Sequence, residues 1–239
     1  MQARLYAIPA SNASLTAQLA LDRKQIPYRR IDQLPVLHWL TMRLRGFEGS
    51  TVPGLVIDGR KVHGSGTILR ALDELAPDPR LYPEDPQQRA TVDKEVAWGE
   101  HVYQRTLRYL LPYSLLRRPR AVSSVLEGAQ MSLPTGLVVA VSKPAIYVNS
   151  LRQKSNSRTV HEKLGELSEM FDHVDDLIAR GVLNADEPGA ADMMIAPTTR
   201  AFLWWQDLRP VLEKRPAAAH ARRLAPNFDA DIPPVLPRA

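Results

Sequence analysis

The chain has no cysteine. That excludes structural disulfides, zinc–thiolate centres and a cysteine nucleophile of its own, and leaves the redox compartment open. Long apolar runs are missing as well. The longest, Leu137 to Val141, falls far short of the roughly 20 residues a membrane-spanning helix needs. The N-terminus lacks a signal-peptide pattern, because Leu5–Ile8 is too short for an apolar h-region and runs into Ser11 and Asn12. The expectation is a cytoplasmic protein with no membrane partner. Blocks of one charge are absent too. The formal net charge is +5, but its arginines are dispersed as Arg29-Arg30, Arg117-Arg118-Arg120 and Arg222-Arg223, with no aromatics interleaved on a strand pattern. Without a zinc-finger or helix-turn-helix signature, a nucleic-acid partner is not expected. There is no Walker loop, dinucleotide fingerprint or Gly-x-Ser-x-Gly elbow. The six histidines show no His-x-x-x-His spacing, and Asp172, His173, Asp175 and Asp176 read as a charged helix face. No metal is expected.

The informative stretch is Thr51 to Ser65, TVPGLVIDGRKVHGS. Val52-Pro53 stands at the head of a short apolar run. A proline there cannot donate a ladder bond, which suggests a bend or a cis peptide that leaves the preceding backbone groups free. Asp58-Gly59 between two short runs predicts a tight hairpin. Ser65, ahead of Ile68, Leu69 and Leu72, reads as a helix N-cap with unpaired N–H groups facing outward. Open backbone donors beside a proline corner and a helix N-terminus suit a small extended anion.

Around this stretch the pattern predicts a strand at Arg4–Ile8, a helix from Ser14 to Lys24, a strand at Tyr28–Ile31 and a helix beginning near Leu34. The hairpin and a helix from Ser65 to about Leu75 follow. Ala76 to Pro86 holds Pro77, Pro79, Pro83 and Pro86 and reads as a linker. Beyond it, Thr91–Leu111 and His161–Ile178 are long amphipathic patterns, with Pro112, Pro119, Pro134 and Pro144 breaking up the stretch between them. No strand is expected after Pro86, and the Pro-rich end reads as an extended surface tail. The predicted class is α+β, with a thioredoxin-like N-terminal domain (1–76), a linker (77–86) and an all-α domain with its tail (87–239).

This layout, with Val52, Pro53 and Ser65 in place, resembles the glutathione transferase family. The family carries Glu, Gln or Asp before the serine, where this chain has Gly64. A second match is the buried helix begun by a Ser/Thr-x-x-Asp box: Asp192 matches its acid, and Gly189 stands where Ser or Thr is usual. The resemblance implies a detoxifying transferase with glutathione, or a similar small thiol, as co-substrate and a small apolar electrophile as second substrate. It implies no metal, and a two-fold homodimer. Arg70 and Asp73 on the helix after Ser65, with Arg89 and Asp93 on the first long helix, are candidates for the reciprocal contacts.

The resemblance to serine-type members assigns the catalytic hydroxyl to Ser11, at the end of the first strand. A hydroxyl donating to the bound sulfur favours thiolate over thiol. Ser11 also suits helix capping, and Tyr6, Asn12 and Ser14 are alternatives. The main-chain groups of Val52 would pair with the cysteinyl part of the peptide, as an added strand does. Ser65 would take the γ-glutamyl carboxylate. His38 would meet the glycine carboxylate, with Arg43 and Arg45 as neighbours able to do the same. Trp98, His101 and Tyr103, with Tyr109, are candidates for the electrophile pocket, since Trp98 and His101 share a face at helical spacing. The alternative function is a non-catalytic thioredoxin-fold binding or protein-interaction module.

Overall fold

The computed structural model describes residues 2–34, 38–127 and 135–237. Four strands form one mixed sheet in the order β2-β1-β3-β4. They are β1 (Ala3–Ala7), β2 (Tyr28–Asp32), β3 (Gly54–Ile57) and β4 (Arg60–His63). β1 runs parallel to β2 and antiparallel to β3, with Leu5 opposite Arg30 and Leu55. The β3–β4 hairpin turns at Asp58 and Gly59, whose φ angles of 45° and 86° are those of the tight turn the Asp-Gly pair predicts.

The alternation along β1 divides the apolar residues between two faces. Leu5, Leu55 and Ile57 face α1 (Asn12–Arg23) and α3 (Ser65–Leu75), joining Ala17, Leu21, Ile68 and Leu72 in one buried cluster. Tyr6 and Val56 face the other way, toward Met42 of α2 (His38–Leu44) and Phe47. Gly54 belongs to this second face. A Cβ there would sit 2.4 Å from Met42 Cε, so the glycine lets α2 close on the sheet. The order βαβ, helix, ββα is the predicted thioredoxin-like one.

After α3 no helix or strand forms until α4 (Pro86–Trp98), which is capped by Asp85 and starts on a proline suited to its first turn. A π-helical turn, Gly99–Tyr103, joins α4 to α5 (Gln104–Arg117). Then come α6 (Ala121–Val125), α7 (Thr135–Arg152), α8 (Ser157–Ala179), α9 (Ala190–Phe202), α10 (Arg209–Leu212) and α11 (Pro216–Leu224). α9 is buried along its whole length. At its start, Asp192 Oδ2 accepts from Gly189 N at 2.9 Å, the half of the capping box that needs no side chain at Gly189. A Cβ on Gly189 would lie 3.0 Å from Leu81 O, a carbonyl that also accepts from Ala190 N. The linker backbone thus crosses where Ser or Thr would stand.

Several sequence expectations change. Pro112 and Pro144 do not break helices but lie inside α5 and α7; Pro134 is outside the described residues. Around Pro112, the buried Leu110, Tyr113 and Ser114 hold α5 in place, and Ser114 Oγ accepts from Trp205 Nε1 at 2.8 Å. Tertiary packing outweighs the missing N–H. The C-terminal tail is not merely superficial. Ile232 is fully buried, its N–H donates to Trp204 O at 2.8 Å, and its carbonyl accepts from Gln206 N at 3.0 Å. The proposed dimer residues are engaged within the chain. Asp73 is buried against Lys24, Arg70 pairs with Asp93 at 3.2 Å, and Arg89 lies over the Tyr82 ring. Among the described residues no helix is long and apolar enough to cross a membrane.

Candidate functional site

The strand register brings the candidate residues to one end of the sheet. Tyr6, near the end of β1, is opposite Gly54, so the segment entering β3 lies beside the segment leaving β1 toward α1. Gly54 is in turn opposite His63, which sets the start of α3 beside Pro53. Gly64 N donates to Pro53 O at 3.0 Å, closing this corner.

The Val52–Pro53 peptide is cis. Among the described residues, neither the N–H nor the carbonyl of Val52 has a hydrogen-bond partner, so both are available to an added strand. The approach loop is fixed by His63, whose Nε2 lies 2.9 Å from Thr51 O and 3.3 Å from Thr51 Oγ1. A Cβ on Gly49 would run into that ring. His63 and Gly49 are supports that the motif does not signal.

Ser65 is not the N-cap. The cap is Gly64, at φ 90° and ψ 145°, a conformation L side chains rarely adopt, and Ser65 is the first helical residue. The buried Ser65 Oγ donates to Glu100 Oε1 at 3.0 Å, and Gly66 N donates to the same oxygen at 3.2 Å. A carboxylate of the chain itself therefore sits on the start of α3, where the helix dipole and free N–H groups favour an anion. Glu100 comes from the π-helical turn, and no sequence signal singled it out. Downstream, desolvation lowers the Arg108 guanidinium from its ordinary value; Arg105 acts in the same direction and Glu100 opposes it.

Ser11 is the N-cap of α1, and its Oγ accepts from Ser14 N at 3.2 Å. Capping uses a lone pair, and among the described residues the Ser11 hydroxyl proton has no acceptor. The two roles weighed for Ser11 are thus compatible in one hydroxyl. The alternatives are placed differently. Asn12 Nδ2 donates to the buried Thr198 Oγ1 of α9 at 2.9 Å, tying α1 to the helical domain. Ser14 is fully buried, with its Oγ accepting from Ile8 N at 3.4 Å. Tyr6 is buried on the α2 side, edge-on to Phe47 and beneath Arg45. His38 opens α2 and is half-buried; Arg43 is exposed, and Arg45 is the residue over Tyr6.

The expected electrophile wall is not formed as drawn. Tyr103 is fully buried, with its hydroxyl 3.0 Å from Thr199 Oγ1, and burial drives its ionisation far above the ordinary range. Trp98 stacks on Tyr103 at 4.9 Å between centroids and meets His173 edge-on, so both aromatics pack the core. His101 is exposed. The π-helical turn between them adds to the residues per turn, so the three-residue spacing no longer puts Trp98 and His101 on one face. Tyr109 is half-buried against the core.

The fold and site define a thioredoxin-like domain with an open main-chain edge beside a cis-proline, joined to a helical domain. Residues 5–80 match the family model of the glutathione S-transferase N-terminal domain. The N-terminal domain is thus similar to that of the glutathione S-transferases, and the whole chain shares its fold with solved members of that family. It is similar in structure to a glutathione S-transferase from Rhodospirillum rubrum, at 20% identity and a TM-score of 0.68, over 93% of this chain and 87% of that one. The beta-etherase LigF from a Sphingobium species aligns over 92% of this chain and 98% of its own, at 15% identity and a TM-score of 0.65. A Methylobacterium radiotolerans glutathione S-transferase in complex with glutathione sulfonate aligns over 95% and 92%, at 18% identity and a TM-score of 0.60. No curated protein matches the sequence.

Proposed function

We propose that the chain is a cytoplasmic glutathione transferase-like enzyme. It binds glutathione or a similar small thiol along Val52 and at the start of α3, and activates the sulfur with Ser11 for attack on a small electrophile. The observation that carries this reading is the unpaired main chain of Val52, set by the sheet register beside both the Ser11 end of β1 and the Ser65 end of α3. The thiol peptide adds as a short strand, its carboxylate end meets the donors of α3, and its sulfur comes to the start of α1. There the helix N-terminus and the free Ser11 proton both favour thiolate. The proton leaves to solvent, the sulfur bonds to the electrophilic carbon, and the leaving group departs with the displaced electron pair. A homodimer completes the proposal, as the resemblance implies.

Glutathione at about one hundred times its dissociation constant is expected to stabilise the protein by roughly 2.7 kcal/mol, read as a rise in melting temperature. No shift with glutathione or other small thiols rejects the reading. Ser11→Ala is expected to lose about 1 kcal/mol of stability with the cap. Its turnover with an aryl electrophile is expected to fall roughly tenfold or more at neutral pH. The apparent pKa of the bound thiol then rises toward about 8.5, so activity returns at alkaline pH. An unchanged pH profile makes Ser11 a cap only, and thiol binding without turnover for any electrophile favours the non-catalytic module.

Ser65→Ala removes a hydrogen bond rather than a cap. Unfolding in urea is expected to show a loss of about 1 kcal/mol. Affinity for glutathione should drop roughly tenfold, because the hydroxyl would otherwise donate to the ligand carboxylate. Wild-type affinity in Ser65→Ala would remove Ser65 from the site.

A further inference from the structure

We infer that the α2 side of the sheet carries a second ligand site, apart from the thiol site, in which Arg4, Arg29 and Lys61 bind a small molecule bearing two or more phosphate groups.

The site follows from strand register. Arg4 of β1 stands beside Arg29 of β2 and opposite Val56 of β3, and Val56 is opposite Lys61 of β4. These residues form one row across all four strands. Alternation puts the row on the Tyr6 side of the sheet, away from Ala3, Leu5 and the core under α1 and α3. Val56 is buried, while the three cations are exposed. α2 is 7 residues long, about 10 Å. Its Met42 packs with Tyr6 and Val56, and the cations on either side of Val56 are left uncovered.

Among the described residues, the side chains of Arg4, Arg29 and Lys61 have no hydrogen bond or ion pair. Two guanidiniums on adjacent strands, at a strand spacing of about 4.8 Å, repel each other. Elsewhere on the surface the chain sets arginines against acids, as in Arg158–Glu162 and Arg180–Asp176. Here the charge is uncompensated, and the apolar floor at Val56 strengthens it. The arginines open into a depression of about 650 Å³, a volume suited to a small ligand, walled also by Val56, Pro27, Asp58 and Gly59. Its rim is fixed, because Gln2 N donates to Asp58 Oδ1 at 2.8 Å and Asp58 N donates to Gln2 O at 3.1 Å. Asp58 is the single acid of the lining, and one of its oxygens is engaged by that bond.

A depression ended by a hairpin turn suits a compact ligand rather than an extended chain. Guanidinium forks take phosphate oxygens in pairs, so two forks one strand apart suit neighbouring phosphate groups, and Lys61 adds a third charge from across Val56. Val56 lies four residues past Val52, about 13 Å along the strand, which separates the row from the main chain proposed to hold the thiol.

The test is isothermal titration of the full chain with inorganic pyrophosphate at fixed ionic strength, for wild type, Arg4→Gln, Arg29→Gln and Arg60→Gln. Arg60 is exposed and opposite Ile57, so it removes the same charge from the other side of the sheet. Wild type is expected to bind one pyrophosphate per chain with a Kd below about 1 mM. Arg4→Gln and Arg29→Gln are each expected to weaken it by about tenfold or more, and Arg60→Gln by less than about twofold. Neither arginine holds a side-chain contact, so both variants are expected to melt at or above the wild-type temperature; a clear fall would make the pair structural and sink the inference. So would absence of pyrophosphate binding, or an equal loss in Arg60→Gln, which would reduce the effect to net charge. Equal affinity for citrate would overturn the phosphate assignment, and binding of an oligoglutamate peptide in place of pyrophosphate would make the row a protein contact instead. Saturating glutathione is expected to leave the pyrophosphate affinity unchanged. Competition between them would put the phosphate in the thiol site and end the case for a second one, with the thiol-peptide reading intact.

Discussion

Asp192→Ala is expected to destabilise the protein by about 3–5 kcal/mol, the range for stripping one partner from a buried polar or ionic network. Asp192 is almost fully buried at the head of the central helix. Its Oδ2 accepts from Gly189 N at 2.9 Å; its Oδ1 accepts from Asn184 N at 2.7 Å and lies 2.7 Å from His220 Nε2. One side chain therefore holds the cap of α9, the loop before it and the buried imidazole of α11. Alanine leaves two backbone donors and that imidazole without their acceptor. Replacing an ordinary solvent-exposed cap costs about 1 kcal/mol, so the excess measures the burial. The check is the urea midpoint at constant slope. A loss under about 1 kcal/mol would mean that water replaces the carboxylate at low cost.

Lys24→Met is expected to produce a loss of similar size, about 3–5 kcal/mol. Lys24 is buried at the end of α1, where Nζ donates to Asp73 Oδ1 at 2.9 Å, Ala76 O at 2.6 Å and Pro79 O at 2.7 Å. Asp73 Oδ1 also accepts from Leu81 N at 2.7 Å. The ammonium thus fastens α1, the end of α3 and the start of the linker at one point. Methionine matches the stem but strands the Asp73 charge. The double variant Lys24→Met with Asp73→Leu removes both charges and is expected to be less destabilised than the sum of the single variants, with a coupling of about 1–3 kcal/mol. Strict additivity would show that the pair contributes nothing beyond its separate contacts.

The sequence was most legible where local chemistry is decisive. The Asp58-Gly59 turn, the alternation in β1 and β3 and the periodicity of α3 each follow from short-range rules, and the elements form within a few residues of the expected positions. The Val-Pro corner was readable for the same reason: the missing proline N–H is a property of one residue. What escaped was set by packing at long range. Pro112 and Pro144 read as breaks because their helices are held by neighbours far away in sequence. The same limit explains Trp98 and His101, whose shared face depends on a regular helix that the turn at Gly99–Tyr103 interrupts. Ser65 and Gly64 exchange the roles of cap and first helical residue because the cap depends on a positive φ that a Gly-Ser pair does not reveal. Glu100 was invisible because its partners lie 34 and 35 residues earlier, on a helix of the other domain.

The buried cluster beneath α1 and α3 does not stop at the linker. Leu5 and Leu69 from the sheet side, Leu81 and Tyr82 from the linker, and Val96, Met193 and Phe202 from the helices belong to one continuous set. The two domains are separate in topology but share a single core, which favours one cooperative unfolding transition over two. Residues 5–80, cut away from the rest, would expose the apolar side of α1 and α3 that α9 now covers. The N-terminal half is therefore not an autonomous module in this chain. Substitutions deep in α9 that disturb Thr198 reach Asn12, the residue after Ser11, through the Asn12–Thr198 bond, so evolutionary drift in the helical half bears directly on the start of α1 in the other.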